Sequence, residues 1–320
     1  MKKSLVALAA LAASAAFAQS TVTLSGTVDT GIEKTSASGA IQMSASRNGT
    51  TNLTFAGSED LGNGLKANFS VSTSFDSSYQ APAGTPAVIT APSAGTDTNF
   101  IGNNNMWVEL AGGFGSLKLG RSFDPVFAST QTANSTKGVT GYTSRAGTLD
   151  FNGVYVSNQV LYTTPNVSGL SAQISFAPSE VIGTKNNTGY SINYAAGPLS
   201  IGFAGSTVNS TNNTSYTGSY AGKAVQLVSG SYDAGVAKLF VSGTQRSENK
   251  SSYNLGVSVP MGAATLWGDY SSNNNSDTVA TQLGYKYSLS KRTTAYASYG
   301  TKKVAGVNSQ GYGAGIQHNF

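Results

Sequence analysis

The sequence predicts an all-β fold, a 16-stranded antiparallel transmembrane β-barrel, and three observations carry that prediction. Apolar side chains recur at every second residue, and short connections alternate with long ones along the chain. Charged residues make up only 10% of the chain, where soluble globular proteins carry about 25%. Successive side chains of a strand face opposite sides of a sheet, so a period of two gives each strand one apolar and one polar face. Leu283, Tyr285, Tyr287 and Leu289 thus share one face, against Gln282, Gly284, Lys286 and Ser288 on the other. A helical reading fails on the period and on the abundance of Gly, Asn, Ser and Thr.

The chain opens with Lys2 and Lys3, an apolar run from Leu5 to about Ala16, and the small-x-small triplet Ala16-Phe17-Ala18. This is the pattern of a secretory signal peptide occupying residues 1–18, with residues 19–320 as the barrel domain. The run is too short and too rich in Ala for a spanning helix, which needs about 20 strongly apolar residues. A first strand is expected near Thr21 to Glu33. Short turns follow at 59–64, 111–115, 165–169, 197–198, 234–236, 261–262 and 290–292. Longer polar stretches stand between them at 80–99, 122–152, 209–218 and 273–277. Seven hairpins and two flanking strands give 16 strands of about ten residues, with long loops on one side and short turns on the other, the signature of an outer-membrane barrel.

The chain ends on Gly311 to Phe320, still in the two-residue beat. In hydrocarbon an unpaired strand edge leaves backbone groups unsatisfied at several kcal/mol each, so this last strand must pair with the first. Phe320 then falls at the rim on the short-turn side, where aromatic girdles sit, and serves closure and assembly.

The exclusions are equally concrete. Without Lys2 and Lys3, 17 basic residues remain against 14 acidic ones, too mild and scattered for nucleic-acid binding. Cysteine is absent and His318 is the only histidine, so Ser/His and Cys/His nucleophile systems lack a base and no His/Cys metal cluster can form. The run "GYGAGI" lacks the Lys-Ser/Thr and the helix of a phosphate loop. Neither an enzyme nor a cofactor is expected.

Five segments, "LTFAGSEDLGNGLKANFSVSTSF", "WVELAGGFGSLKLGRSFDP", "SNQVLYTTPNVSGLSAQISF", "YSLSKRTTAYASYG" and "GIQHNF", resemble in order the signatures of Gram-negative general porins of the neisserial and β-proteobacterial type. The resemblance spans the whole chain after residue 18. It implies a homotrimer in the outer membrane, in contact with its lipid and lipopolysaccharide. Each subunit would hold a water-filled pore, narrowed by the third external loop, for small hydrophilic solutes and inorganic ions. A barrel of this size leaves an aqueous channel, and charges at its narrowest point set selectivity.

Loop residues 122–152 carry Asp124, Lys137, Arg145 and Asp150. Lys66 and Lys118 alternate with apolar neighbours and are expected to face the lumen, with Glu109 a further candidate. The resemblance implies that Arg121 is a pore-wall cation. Where the family often carries Arg or Lys, this chain has Asn52, Ala56, Val156 and Leu161. The expected anion preference is therefore weak to moderate. The alternative is a structural or adhesive barrel with a plugged lumen.

Overall fold

The computed structural model describes residues 21–36, 39–75, 101–131, 149, 153–179, 182, 185–207, 223–246 and 250–320; the expected signal peptide lies outside them. The first half of the sheet contains β1 (Thr21–Thr35), β2 (Ile41–Ala45), β3 (Asn52–Gly62), β4 (Leu65–Ser74), β5 (Asn105–Gly112), β6 (Gly115–Phe123), β7 (Tyr155–Thr163) and β8 (Leu170–Ala177). The second half contains β9 (Asn187–Ala196), β10 (Leu199–Thr207), β11 (Ala224–Asp233), β12 (Lys238–Arg246), β13 (Ser251–Met261), β14 (Ala264–Asn273), β15 (Thr278–Ser288), β16 (Thr293–Val304) and β17 (Val307–Asn319). One short helix, α1 (Pro125–Thr130), follows β6.

Apart from β2 and β3, each strand pairs antiparallel with its sequence neighbour, and β1 pairs with β17, so the sheet closes on itself. The count of 16 staves survives because β2 and β3 share one. The first half of β1 pairs with β3, from Thr21↔Ser58 to Thr27↔Asn52, and its second half pairs with β2, from Thr30↔Ala45 to Lys34↔Ile41. Residues 46–51 interrupt that stave.

The expected closure is present. Nine registers run from Thr27↔Asn319 to Thr35↔Gly311. The Phe320 amide donates to the Gly26 carbonyl at 3.0 Å, and the Gly26 amide donates to the Phe320 carbonyl at 3.1 Å. The last strand begins at Val307, earlier than expected, because Ala305 and Gly306 make a two-residue turn with left-handed φ of 47° and 84°. That turn and the connections at 247–250 and 274–277, the last of which the sequence pattern counts among the longer stretches, are short on the long-loop side, so loop length is less regular there than the sequence pattern suggests. All seven short turns fall where the sequence places them.

Alternation sorts the side chains by face. Gln282 is fully buried inside while its neighbour Leu283 is 61% exposed on the outside. Outward positions are dominated by Leu, Val, Ile, Phe and Tyr, and inward ones by Ser, Thr, Asn and Gln. That is the inverse of a soluble barrel: the hydrophobic driving force lies on the outer wall, and the interior is polar.

Candidate functional site

The candidate site is the inner wall. Antiparallel registers place Asn68, Glu109 and Lys118 side by side, inward, across β4, β5 and β6. Asn68 Nδ2 donates to Glu109 Oε1 at 3.1 Å, and Lys118 Nζ lies 3.5 Å from Glu109 Oε2. The Lys118 ammonium also sits 4.1 Å from the centre of the inward Trp107 ring, a cation–π distance. Lys66 is inward too, opposite Asp60 at the short-turn end. In an aqueous lumen such pairs are largely screened and steer passing ions more than they stabilise the wall.

Residues 46–51, which interrupt the second stave, fold inward against β1. Asp29, fully buried, accepts from the backbone amides of Asn48 at 2.6 Å and Gly49 at 2.7 Å. Its other oxygen accepts from the Tyr296 hydroxyl at 2.5 Å. Glu33, two inward positions further along β1, accepts from Arg47 at 2.5 Å and from Gln42 Nε2 at 3.0 Å. Asn48 Nδ2 donates to Gln317 on β17. Two carboxylates of one strand thus clamp a loop to the wall and bring the partly exposed Arg47 into the lumen. Sequence reasoning missed this group. Its signal was the Arg47-Asn48-Gly49 run, a turn sequence breaking the period of two between Ala45 and Asn52.

On the opposite side, α1 carries the start of the third long connection onto the inner wall of β9, β10 and β11. Asp124 caps the helix by accepting from the Val126 amide at 2.8 Å, and Pro125 occupies its first turn, where a missing amide hydrogen costs nothing. Val126 packs without exposure against Ala204, Val225, Leu227 and Leu149. Ser129 Oγ donates to Asn193 Oδ1 at 3.1 Å, and Ser229 Oγ donates to the Ser129 carbonyl at 3.2 Å. The approach depends on Gly189, where a Cβ would stand 3.0 Å from Pro125 Cδ and 2.7 Å from Ser175 Oγ. Burial pushes the Asp124 carboxyl up to about 6, while the Val126 amide pulls the other way. The remaining loop candidates, Lys137, Arg145 and Asp150, lie outside the described residues.

Arg121 requires a correction. It pairs with the outward Met106 and stands between the outward Leu119 and Phe123, so its side chain is on the outer face near the long-loop rim. There Nε donates to the Asn103 carbonyl at 3.1 Å, Nη1 donates to Ser157 Oγ at 2.7 Å, and the guanidinium lies 5.3 Å from the Tyr155 ring centre. The left-handed Asn158 places an extra residue in β7 opposite Arg121, and this bulge leaves the room that the guanidinium fills. Resemblance to a family pattern located the residue on its strand but not on the correct face.

His318 also points outward, its Nδ1 2.9 Å from Thr293 Oγ1. Inward cations Arg47, Lys66, Lys118, Lys238, Arg246, Lys286 and Lys302 are matched in number by inward acids Asp29, Glu33, Asp60, Glu109, Asp124, Asp233 and Asp269 among the described residues.

Comparison with known proteins gives a consistent result. Residues 4–307 match the family model described as Gram-negative porin. The chain is similar to outer membrane porin protein 32 of Delftia acidovorans, 32% identical over 99% of this chain and 95% of the relative. It is also similar to the major outer membrane protein P.IB of Neisseria meningitidis serogroup B, 28% identical over the full length of both. Among solved structures, the anion-selective porin from Comamonas acidovorans superposes with a TM-score of 0.77 at 26% identity, covering 94% of this chain and all of that one.

Proposed function

This chain belongs to the Gram-negative porin family, an outer-membrane channel former, and from that premise we propose the finer reading. The mature protein, residues 19–320, is a homotrimer whose subunits each conduct small hydrophilic solutes and ions passively, with a weak preference for anions and no enzymatic activity. The observation that carries the reading is the inversion of faces: a closed sheet with polar side chains inside and apolar ones outside encloses water. The two inward segments are each held to one wall, which favours a narrowed channel over a plugged one.

The near balance of inward charges supports weak selectivity, since a lumen with matched fixed charges tilts permeability without excluding either sign. The relative whose description is anion-selective supports the direction of the tilt. Single-channel conductance in planar bilayers, with reversal potentials in a salt gradient, tests the proposal. Stepwise conductance with a reversal potential slightly on the anion side is expected; a chain that inserts without conducting would establish the plugged alternative.

A further inference from the structure

One part of the inner wall departs from the polar pattern. From β3 to β7 the registers align an inward row of Ala56, Ser70, Trp107, Gly120 and Gln159. Trp107 is the one large apolar side chain in that row. Its neighbours Ser70 and Gly120 are small, so the half-buried ring is flanked by low ground on both sides. Two residues toward the short turns, about 7 Å along the strands, the next inward row holds Ser58, Asn68, Glu109, Lys118 and Leu161.

In that second row Lys118 Nζ and Glu109 Oε2 are 3.5 Å apart, longer than the about 2.7–2.9 Å of a well-formed ammonium–carboxylate bond. Their side chains are 21% and 16% exposed, so the pair meets lumen water and contributes little to holding the wall together. Leu161, on the far side of Lys118, is inward and buried, and it brings no third charge into the row. The other inward charges of β3 to β7, Asp60 and Lys66, stand opposite each other. One fixed cation and one fixed anion therefore sit beside an aromatic ring with a local sum of zero. This wall lies between the two inward segments, the clamp on β1 and α1 on β9 to β11, and under neither.

We propose that this patch is a subsite for zwitterionic solutes, α-amino acids with apolar side chains, on their way through the lumen. The solute carboxylate lies on the Lys118 ammonium, the solute ammonium lies on Glu109 Oε2, and the side chain lies against the Trp107 ring. Asn68 Nδ2, donating to Glu109 Oε1 at 3.1 Å, holds the carboxylate in place. The proposal rests on the porin reading and extends it, from unselective diffusion to a preferred class of solute. Charge pattern selects that class. A simple anion gains at Lys118 and loses at Glu109 beside it, and a simple cation does the reverse, because a Debye length of about 8 Å leaves both effects intact at this separation. A neutral sugar answers neither charge, whereas a zwitterion answers both. Affinity on the order of millimolar is expected, strong enough to hold a solute briefly and weak enough to release it.

The test is partial block of single-channel current in planar bilayers at pH 7 by L-leucine. N-acetyl-L-leucine, which lacks the ammonium, and L-leucinamide, which lacks the carboxylate, are the comparison solutes. In the parent, leucine should block at concentrations at least five-fold lower than either. K118Q should weaken leucine block at least five-fold and turn the preference toward leucinamide, while E109Q should weaken it as much and turn the preference toward N-acetyl-leucine. W107A should bring leucine down to the level of glycine. Each variant is read against its own conductance without solute, and because K118Q and E109Q shift preference in opposite directions, either one decides if the other does not assemble. Equal block by all three solutes in the parent means exclusion by size and overturns the proposal, as does stronger block by N-acetyl-leucine, which would make the patch an ordinary anion site. Leucine block unchanged in both K118Q and E109Q also overturns it. A parent that does not conduct would instead sink the porin reading on its own.

Discussion

Two segments fold into the lumen from opposite walls, and they are held by different physics. Residues 46–51 are tied to β1 by carboxylates: Asp29 receives two backbone amides and a tyrosine hydroxyl, and Glu33 receives Arg47. Helix α1 is held on β10 and β11 by apolar contact, Val126 against Ala204, Val225 and Leu227, with its one carboxylate, Asp124, working as a cap. The polar clamp is directional and fails when one partner is removed, because the others are left buried and unsatisfied. The apolar clamp is non-directional and fails in proportion to the surface lost. A channel needs both: one positions charges at fixed places, the other fixes the bulk that narrows the lumen.

The largest expected effect breaks the polar clamp. Asp29→Ala strands three donors that now meet one carboxylate. Hydrogen bonds to charged groups are worth about 1.5–3 kcal/mol each and act together here, so a loss on the order of 3–5 kcal/mol is expected. Thermal unfolding in detergent measures it, and accessibility of a cysteine introduced at Asn48 should rise in parallel. A parent-like unfolding temperature would mean that the clamp is incidental.

Next in size is the pH response of the apolar clamp. The Asp124 carboxyl stands at about 6 against an ordinary 3.8, so the folded state holds its proton more tightly than the unfolded chain does. Docking of α1 is therefore strongest below about pH 4, weakens as pH rises through about 6, and is flat above that. At about 1.36 kcal/mol per pH unit the whole change is about 2–3 kcal/mol. Asp124→Asn keeps a good N-cap without the buried charge, and should abolish this slope while strengthening docking at pH 7. Measuring unfolding of both proteins between pH 4 and 8 isolates Asp124 from the other carboxylates, and parallel curves would refute the assignment. A smaller effect is expected from Val126→Ala, about 1.5–2.5 kcal/mol for the methyl groups removed from a fully buried site. Proteolysis at the loop, with the barrel itself unchanged, reads it out.

The barrel was legible in the sequence because its determinants are local and repeated. The alternation around Leu283 and Gln282, the turn at Asn63 and Gly64, and the beat into Phe320 each specify a strand or a turn from a few adjacent residues. The inner face keeps the same beat along β4 and β6, the strands that carry Lys66 and Lys118. Asp29 and Arg47 meet through a loop that leaves the sheet, a relation between residues far apart in the period and invisible to it. Arg121 shows the limit of the opposite approach. Its strand was correctly identified, yet its face is set by the pairing with Met106, in a hairpin whose register depends on the turn between them.

The smallest expected effect sharpens the comparison at the level of function. Arg47 is the cation that the polar clamp brings into the lumen, and it is about one-third exposed there. Arg121 carries the same charge on the other side of the wall. At physiological salt the Debye length is about 8 Å, so a fixed charge at the inner surface acts on an ion passing beside it while a charge behind the sheet acts weakly. Arg47→Gln leaves Glu33 without its ion pair and should move the reversal potential toward cations. The shift should be modest, because Glu33 already offsets part of the field of Arg47. Arg121→Gln should leave the reversal potential where it is. If Arg121→Gln shifts the potential and Arg47→Gln does not, the faces assigned to these two residues are interchanged, and ions feel the outer-wall cation more than the charge that the polar clamp positions.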